Sequence, residues 1–270
     1  IYWYNCANMS HIKLLRLLIE AEEDTKAPET GKEGGDNDAA SKLRRAFQDT
    51  SVSGFVAKFK AIASDPKVQA ILKAGHTDKG GEEDEKVTYQ TTTLPVKSLK
   101  PTQNEIGFDQ SIKNILTDQY GSLKSILAGN ANVGGPIVTY NSQYVIDGHH
   151  RWSQVYAGNP NAKMEALDIK GELKPTEILK IVHAAIAAKV GELPSANPKG
   201  INILDGVTEQ QVLDSVNANL SDKAKKLWEE NGQKSNEEIA KYINGNLQAL
   251  IKNNKPVPGA PGRKDMPQAD

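Results

Sequence analysis

Tyr144-Val145-Ile146-Asp147-Gly148-His149-His150-Arg151-Trp152 sets a polar turn directly behind a short apolar run. The apolar run suits a strand, and the Asp-Gly pair behind it suits a sharp change of direction. The residues from Arg151 to Ala157 suit a helix that ends near Gly158-Asn159-Pro160. A strand-to-helix junction presents free backbone N–H groups and the positive end of a helix dipole, both of which favour an anion. Two of the five histidines, His149 and His150, stand side by side there, followed at once by Arg151, whose planar fork matches phosphate or carboxylate. The stretch reads as a phosphate-handling site. The bland alternatives are an ordinary Asp-Gly turn, a structural histidine pair, and a Trp152 that packs on the buried helix face.

Working outward, Pro136 to Tyr140 and Gln143 to Ile146 read as two strands of a hairpin joined at Asn141-Ser142. Lys86 to Leu99 is rich in β-branched residues and favours strand, and Met164 to Ile169 is a further strand. Asp109 to Leu127 carries apolar residues at helical spacing. These elements predict an α+β unit over 86–171. Before it, Ile12 to Glu23 reads as an amphipathic helix, Asp24 to Ala40 as a disordered linker, 41–74 as helical, and Gly75 to Lys86 as a charged break. After it come helices over 175–190, 207–218, 221–231 and 235–252, then a tail rich in proline and glycine from Asn254. The predicted division is 1–40 leader helix and linker, 41–85 helical segment and acidic linker, 86–171 α+β domain, 172–253 C-terminal helical domain, and 254–270 flexible tail.

The 270-residue chain is long enough for a sizeable core, and its net charge of −1 supplies no global attraction to nucleic acid. The single cysteine, Cys6, excludes an internal disulfide and a cysteine-cluster metal site. No apolar stretch reaches bilayer length, and no basic segment precedes a long apolar core near residue 1, so the expectation is an intracellular, cytoplasmic protein without membrane contact. Ile1 precedes Met9, and residues 1–8 receive no structural weight. His11, His76 and His183 have no partners at metal-ligand spacing and read as structural or exposed. Glu82-Glu83-Asp84-Glu85 reads as a solvated loop, and Lys223, Lys225 and Lys226 as a solvated helix face. Ser235 and Glu238 fit a capping box, and Asn244-Gly245-Asn246 after that helix could be the turn of a helix-turn-helix with Leu247 to Asn254 as reading helix. An ordinary terminal helical pair is the competing view.

Three ordered blocks resemble the ParB/sulfiredoxin superfamily: the opening segment Leu94 to Glu105, the hairpin Gly135 to Ile146, and the turn Asp147-Gly148-His149-His150-Arg151. The resemblance implies a small mixed sheet with helices, here flanked by an N-terminal helical arm and a C-terminal helical domain. Sulfiredoxins place a cysteine where His149 stands. No cysteine lies in this domain, so that thiol chemistry is excluded. Partition ParB proteins carry a Glu-Arg-Arg type turn, bind CTP and continue into a DNA-reading helix-turn-helix. The His-His-Arg turn looks most like the free serine kinases and related phage and archaeal proteins.

Carried over, the resemblance implies that Asp147 orients a histidine or binds Mg²⁺, and that Gly148, His149, His150 and Arg151 hold the phosphates of ATP, ADP or CTP. Glu105 would be the base for a small hydroxyl substrate, with Asp147 and His150 beside it in the reaction, and Thr102 and Gln103 would bond ribose or phosphate. Phosphoryl transfer needs charge neutralisation and a positioned base more than covalent help, which suits this set. The alternatives are a ParB-like DNA-binding protein or nuclease, and a virion-associated structural protein with a vestigial site. Leu18-Ile19-Glu20-Ala21 resembles the Leu-x-Glu sites cut by phage prohead proteases. That likeness implies a phage-encoded protein found in the host cytoplasm or in the virion, with capsid components as partners.

Overall fold

A computed structural model of the chain describes residues 39–77, 88–193 and 200–267. The predicted helix over 12–23, the Leu18 to Ala21 site, the acidic run 82–85 and all of the predicted linker 24–40 but its last two residues lie outside the described residues; Ala39 and Ala40 open a helix instead. The chain divides into two compact units, one of residues 1–88, 171–196 and 264–270, the other of residues 89–170 and 197–263.

The first unit is helical: α1 (Ala39–Phe47), α2 (Val52–Lys60), α3 (Pro66–Thr77) and α7 (Pro175–Val190). Ser51 caps α2 by accepting from the Gly54 N–H at 3.0 Å. Phe47, Phe55 and Phe59 form an aromatic cluster, with Phe55 and Phe59 stacked at 5.0 Å and Phe47 tilted against Phe55 at 4.8 Å. Burial on nearly every face explains why α7 is apolar almost all round. Within it Lys180 is 2 % exposed, yet its ammonium donates to the Asp49 and Phe47 carbonyls and to Glu177, so the charge is met. His183, one of the histidines expected to be structural or exposed, is buried against Phe55, with Nε2 2.9 Å from the Asp265 carbonyl.

The second unit holds one mixed six-stranded sheet and six helices, so the α+β class is observed. The strands are β1 (Thr88–Pro95), β2 (Lys100–Pro101), β3 (Asn130–Ala131), β4 (Ile137–Tyr140), β5 (Tyr144–Asp147) and β6 (Lys163–Lys170). Their order is β1-β6-β4-β5-β2, with β3 on β6. β4 and β5 form the antiparallel hairpin, while β4–β6, β2–β5 and β3–β6 are parallel. The hairpin turn has both Asn141 and Ser142 at positive φ, and the Gln143 N–H closes it on the Tyr140 carbonyl at 3.1 Å. A register shift between Val138 and Thr139 leaves Ile146 as the extra residue, and the ladder resumes with Asp147 opposite Val138.

The helices of this unit are α4 (Phe108–Thr117), α5 (Leu123–Leu127), α6 (His149–Gly158), α8 (Glu209–Asn219), α9 (Asp222–Glu230) and α10 (Asn236–Asn253). One apolar core runs through all of them and the sheet, including Ile112, Ile137, Val145, Trp152, Trp228, Ile243 and Leu247. The two fully buried tryptophans keep their indole N–H groups satisfied, Trp152 on the Val96 carbonyl at 2.9 Å and Trp228 on the Ile115 carbonyl at 3.0 Å.

Three expectations are corrected. Residues 172–253 are not one helical domain: α7 packs with α2 and α3, whereas α8, α9 and α10 complete the core of the sheet. An apolar helix signals burial without naming its partner, so only the fold assigns it. Residues 235–254 are not a helix-turn-helix. α10 runs unbroken through Gly245, because the buried face Ile239, Ala240, Ile243, Leu247 and Leu250 outweighs the roughly 1 kcal/mol that a mid-helix glycine costs. Residues 254–263 are not a loose tail but a strap bonded along the segment 97–105. The Asn254 amide donates to the Lys97 and Leu99 carbonyls, Val257 N–H to the Pro101 carbonyl, and Asn104 N–H to the Pro261 carbonyl. Smaller differences are local. Lys223, Lys225 and Lys226 are exposed as a solvated face requires, and Lys223 in addition pairs with buried Asp118 at 2.7 Å. Ser235 caps α10, while Glu238 reaches the Lys234 N–H instead of closing the box on Ser235.

Candidate phosphate site at the start of helix α6

β5 delivers Asp147 to the sheet edge, and Gly148 turns the chain into α6. Gly148 sits at φ 88°, in the left-handed region, and a Cβ there would lie 2.6 Å from Ile137 Cγ2. Conformation and space both demand glycine. No side chain caps α6, and no acidic residue stands in its first turn, so its leading N–H groups and dipole are left for other partners.

His149 is 4 % exposed and points inward, where Nε2 accepts from the Thr102 N–H at 3.2 Å. Burial pushes it down to about 3, the charges of His150 and Arg263 act in the same direction, and the Val145 carbonyl opposes them. The ring is therefore neutral and pins β2 to α6. Thr102 donates its hydroxyl to the Val145 carbonyl at 2.6 Å, and the Gln103 amide donates to the Glu105 carbonyl. Both side chains are buried, so these two predicted ligand contacts face the interior.

His150 is the more open ring. Its Nε2 lies 3.3 Å from the Gly107 N–H, and its Nδ1 lies 3.1 Å from Arg263 Nη1. Both neighbours are obligate donors, and a neutral imidazole accepts at one nitrogen only. One donor is therefore always unmet. Burial and the Arg263 charge lower His150 to about 4, which keeps it neutral at physiological pH.

Arg151 folds back: Nη1 donates to the Gly135 and Pro136 carbonyls at 3.0 Å each, and Nη2 stands 3.5 Å from Asp147 Oδ2. It fixes the approach to β4 as much as it offers charge. Glu105 accepts the Arg263 backbone N–H at 3.1 Å, and Asp147 and Glu105 both act on the Arg263 guanidinium through space. The site thus gathers Glu105, Asp147, His150, Arg151 and Arg263 around the start of α6, with His149, Thr102 and Gln103 supporting it from below. Arg263 escaped the sequence reading, since nothing in a tail of prolines and glycines marks an arginine that returns to a histidine 113 positions away.

Among the described residues no three His, Cys, Asp or Glu side chains converge as a metal cage. A Mg²⁺ held by one carboxylate and the oxygens of a phosphate is the mode that Asp147 or Glu105 fits. No helix among the described residues is long and apolar enough to cross a membrane. No family model, no curated protein and no solved structure matches this chain.

Proposed function

We propose that the start of α6 binds the phosphates of a nucleotide (ATP, ADP or CTP) in a ParB/sulfiredoxin-like domain, and that the site transfers or hydrolyses a phosphoryl group with Mg²⁺. The observation that carries this reading is the uncapped α6 N-terminus behind a left-handed glycine packed against Ile137, with two arginines beside it. Backbone N–H groups, the helix dipole and guanidinium groups are the standard elements of phosphate recognition. The chemical division of labour follows from the charge states. Arg151 and Arg263 would neutralise oxygen charge. His150, neutral at physiological pH, and Glu105 are the candidates to accept a proton from a small hydroxyl substrate or a water. Asp147 would hold Mg²⁺, which supplies further neutralisation of the phosphate oxygens.

Turnover of ATP, ADP and CTP by the purified protein tests this, with His150→Ala and Arg151→Ala alongside. The expected result is a fall of about 100-fold or more for His150→Ala, the usual size of a lost acid or base. Unchanged turnover in both variants removes the assignment.

A second reading, a virion-associated scaffold whose site no longer turns over, draws on a specific observation. The polar groups of Thr102, His149 and Arg151 are already engaged within the protein. Nucleotide binding without turnover in the unaltered protein would favour it. The DNA-binding or nuclease alternative loses its main sequence support with the unbroken α10. Steeply salt-dependent DNA binding would restore it.

A further inference from the structure

Residues 254–263 leave the end of α10 and run back along the segment 97–105. The contacts that dock them are mostly polar. Asn254 Nδ2 donates to two carbonyls, Val257 N–H to Pro101, Asn104 N–H to Pro261, Asn104 Nδ2 to the Ala260 carbonyl at 3.0 Å, and Arg263 N–H to Glu105. Buried apolar anchoring comes chiefly from Val257 and Pro261. Polar groups of this kind can be met by water when the strap lifts, whereas buried apolar surface cannot be compensated in that way. Three prolines stiffen the strap, and Gly259 at φ 77° supplies a bend that other residues resist.

What it carries matters more. The Arg263 guanidinium is partly buried, yet among the described residues no carboxylate comes within ion-pair distance of it, and its one hydrogen-bond partner is a histidine nitrogen. A guanidinium so placed is under-used, because its fork is made for two oxygens of one anion. The contrast with Arg151, committed to two carbonyls, is direct. His150 is also left with one donor too many, so moving Arg263 onto an anion would relieve both groups at once.

We propose that residues 254–263 are a hinged cover on the α6 site and that Arg263, carried on the cover, is the guanidinium a phosphate-bearing ligand engages. The proposal rests on the phosphate reading of that site. Ligand binding and strap docking are then linked: an anion at the site holds the strap down, and an undocked strap leaves the site short of its freest cation. Inorganic pyrophosphate is the probe, titrated calorimetrically into the full-length chain. Hydrogen exchange at the Val257 amide, which bonds to Pro101, reports strap docking.

The expected result is binding by the unaltered protein together with slower exchange at Val257. Arg263→Gln should weaken binding about tenfold or more, the size of a lost charge-assisted contact, and Arg151→Gln should weaken it less. Arg263→Lys, which keeps the charge but not the fork, should fall between the unaltered protein and Arg263→Gln. Circular dichroism and thermal unfolding of each variant confirm the fold. Failure of the unaltered protein to bind pyrophosphate overturns the phosphate reading and this proposal with it. Binding that Arg263→Gln leaves unchanged, or that leaves Val257 exchange unchanged, overturns this proposal alone and leaves the phosphate reading standing.

Discussion

The β4–β5 hairpin carries a polar cluster at each end, and the two are built to opposite rules. At the turn, Asp168 from β6 is fully buried and fully used: it accepts from the Thr139 hydroxyl at 2.7 Å, the Ser142 N–H at 2.7 Å and the Ser142 hydroxyl at 2.6 Å, and pairs with Lys170 at 2.6 Å. Burial alone would raise its carboxyl, yet the bonds from Lys170, Ser142 and Thr139 outweigh burial and hold it below the usual range. At the other end, His150 faces two donors, Arg263 has no carboxylate within ion-pair distance among the described residues, and α6 begins without a cap. A cluster that is satisfied specifies structure. A cluster left with surplus donors is prepared for an acceptor from outside.

Asp168→Ala tests the first half of this contrast and should have the largest effect. It strands Thr139, Ser142 and Lys170 together, and breaking one side of a buried ion pair costs about 3–5 kcal/mol. Lys170 is partly exposed, so the lower end is expected in urea unfolding of this unit. Binding of pyrophosphate by the folded fraction should be unaffected. A loss of binding that exceeded the loss of folded protein would break the separation between the two ends.

Gly148→Ala strikes the opposite end at about 2–3 kcal/mol. A left-handed conformation costs a non-glycine residue about 1–2 kcal/mol, and the 2.6 Å approach to Ile137 forces a further shift. Here binding should fall along with stability, because the start of α6 is displaced. A variant as stable as the parent would show that the turn has another conformation open to it.

Acid separates the ends without any mutation. His149 and His150 have folded values near 3 and 4 against an ordinary 6.5. The unfolded chain therefore takes up protons that the folded chain refuses, and stability present above pH 6.5 is lost as pH falls towards those values. The loss at pH 5 is about 2 kcal/mol per histidine. Asp168 has the opposite proton chemistry but the same direction: its lowered carboxyl contributes stability above the ordinary carboxylate value, 3.8, and loses it only below. Urea midpoints between pH 7 and 5 should thus fall in the parent, less so in His150→Gln, and no differently in Asp168→Asn beyond its constant offset. Equal pH slopes in all three proteins would refute the assignment of the acid sensitivity to the site end.

Local signals made the hairpin and the turn readable in sequence. Asn141 and Ser142 both take the left-handed conformation, which asparagine tolerates, and Gly148 stands where the backbone favours glycine. The helices over 39–77 and 209–253 followed from apolar spacing. The two-residue strands β2 and β3 carry no pattern of their own and exist only because longer neighbours pair with them. The direction in which a polar residue faces was equally hidden. Thr102 and His149 belong to the site by sequence position but spend their polar atoms inside it. Arg263 was illegible for a different reason: the strap docks through backbone groups, and those leave no trace in side-chain periodicity.

Gly245 is the smallest and sharpest test of how such signals compete. Asn244-Gly245-Asn246 has the composition of a turn, yet the residues on either side bury Ile243 and Leu247 on one continuous face, and Gly245 does not adopt a positive φ. Nothing lies within 4 Å of the position a Cβ would take. Alanine there loses no space and reduces the freedom of the unfolded chain, so Gly245→Ala should stabilise this unit by about 0.5–1 kcal/mol. A turn at the same place would give the reverse sign, because a left-handed glycine resists replacement. The sign of the shift in the unfolding midpoint therefore decides between a continuous α10 and two helices with a DNA-reading half, and a midpoint that falls would reopen the DNA-binding alternative.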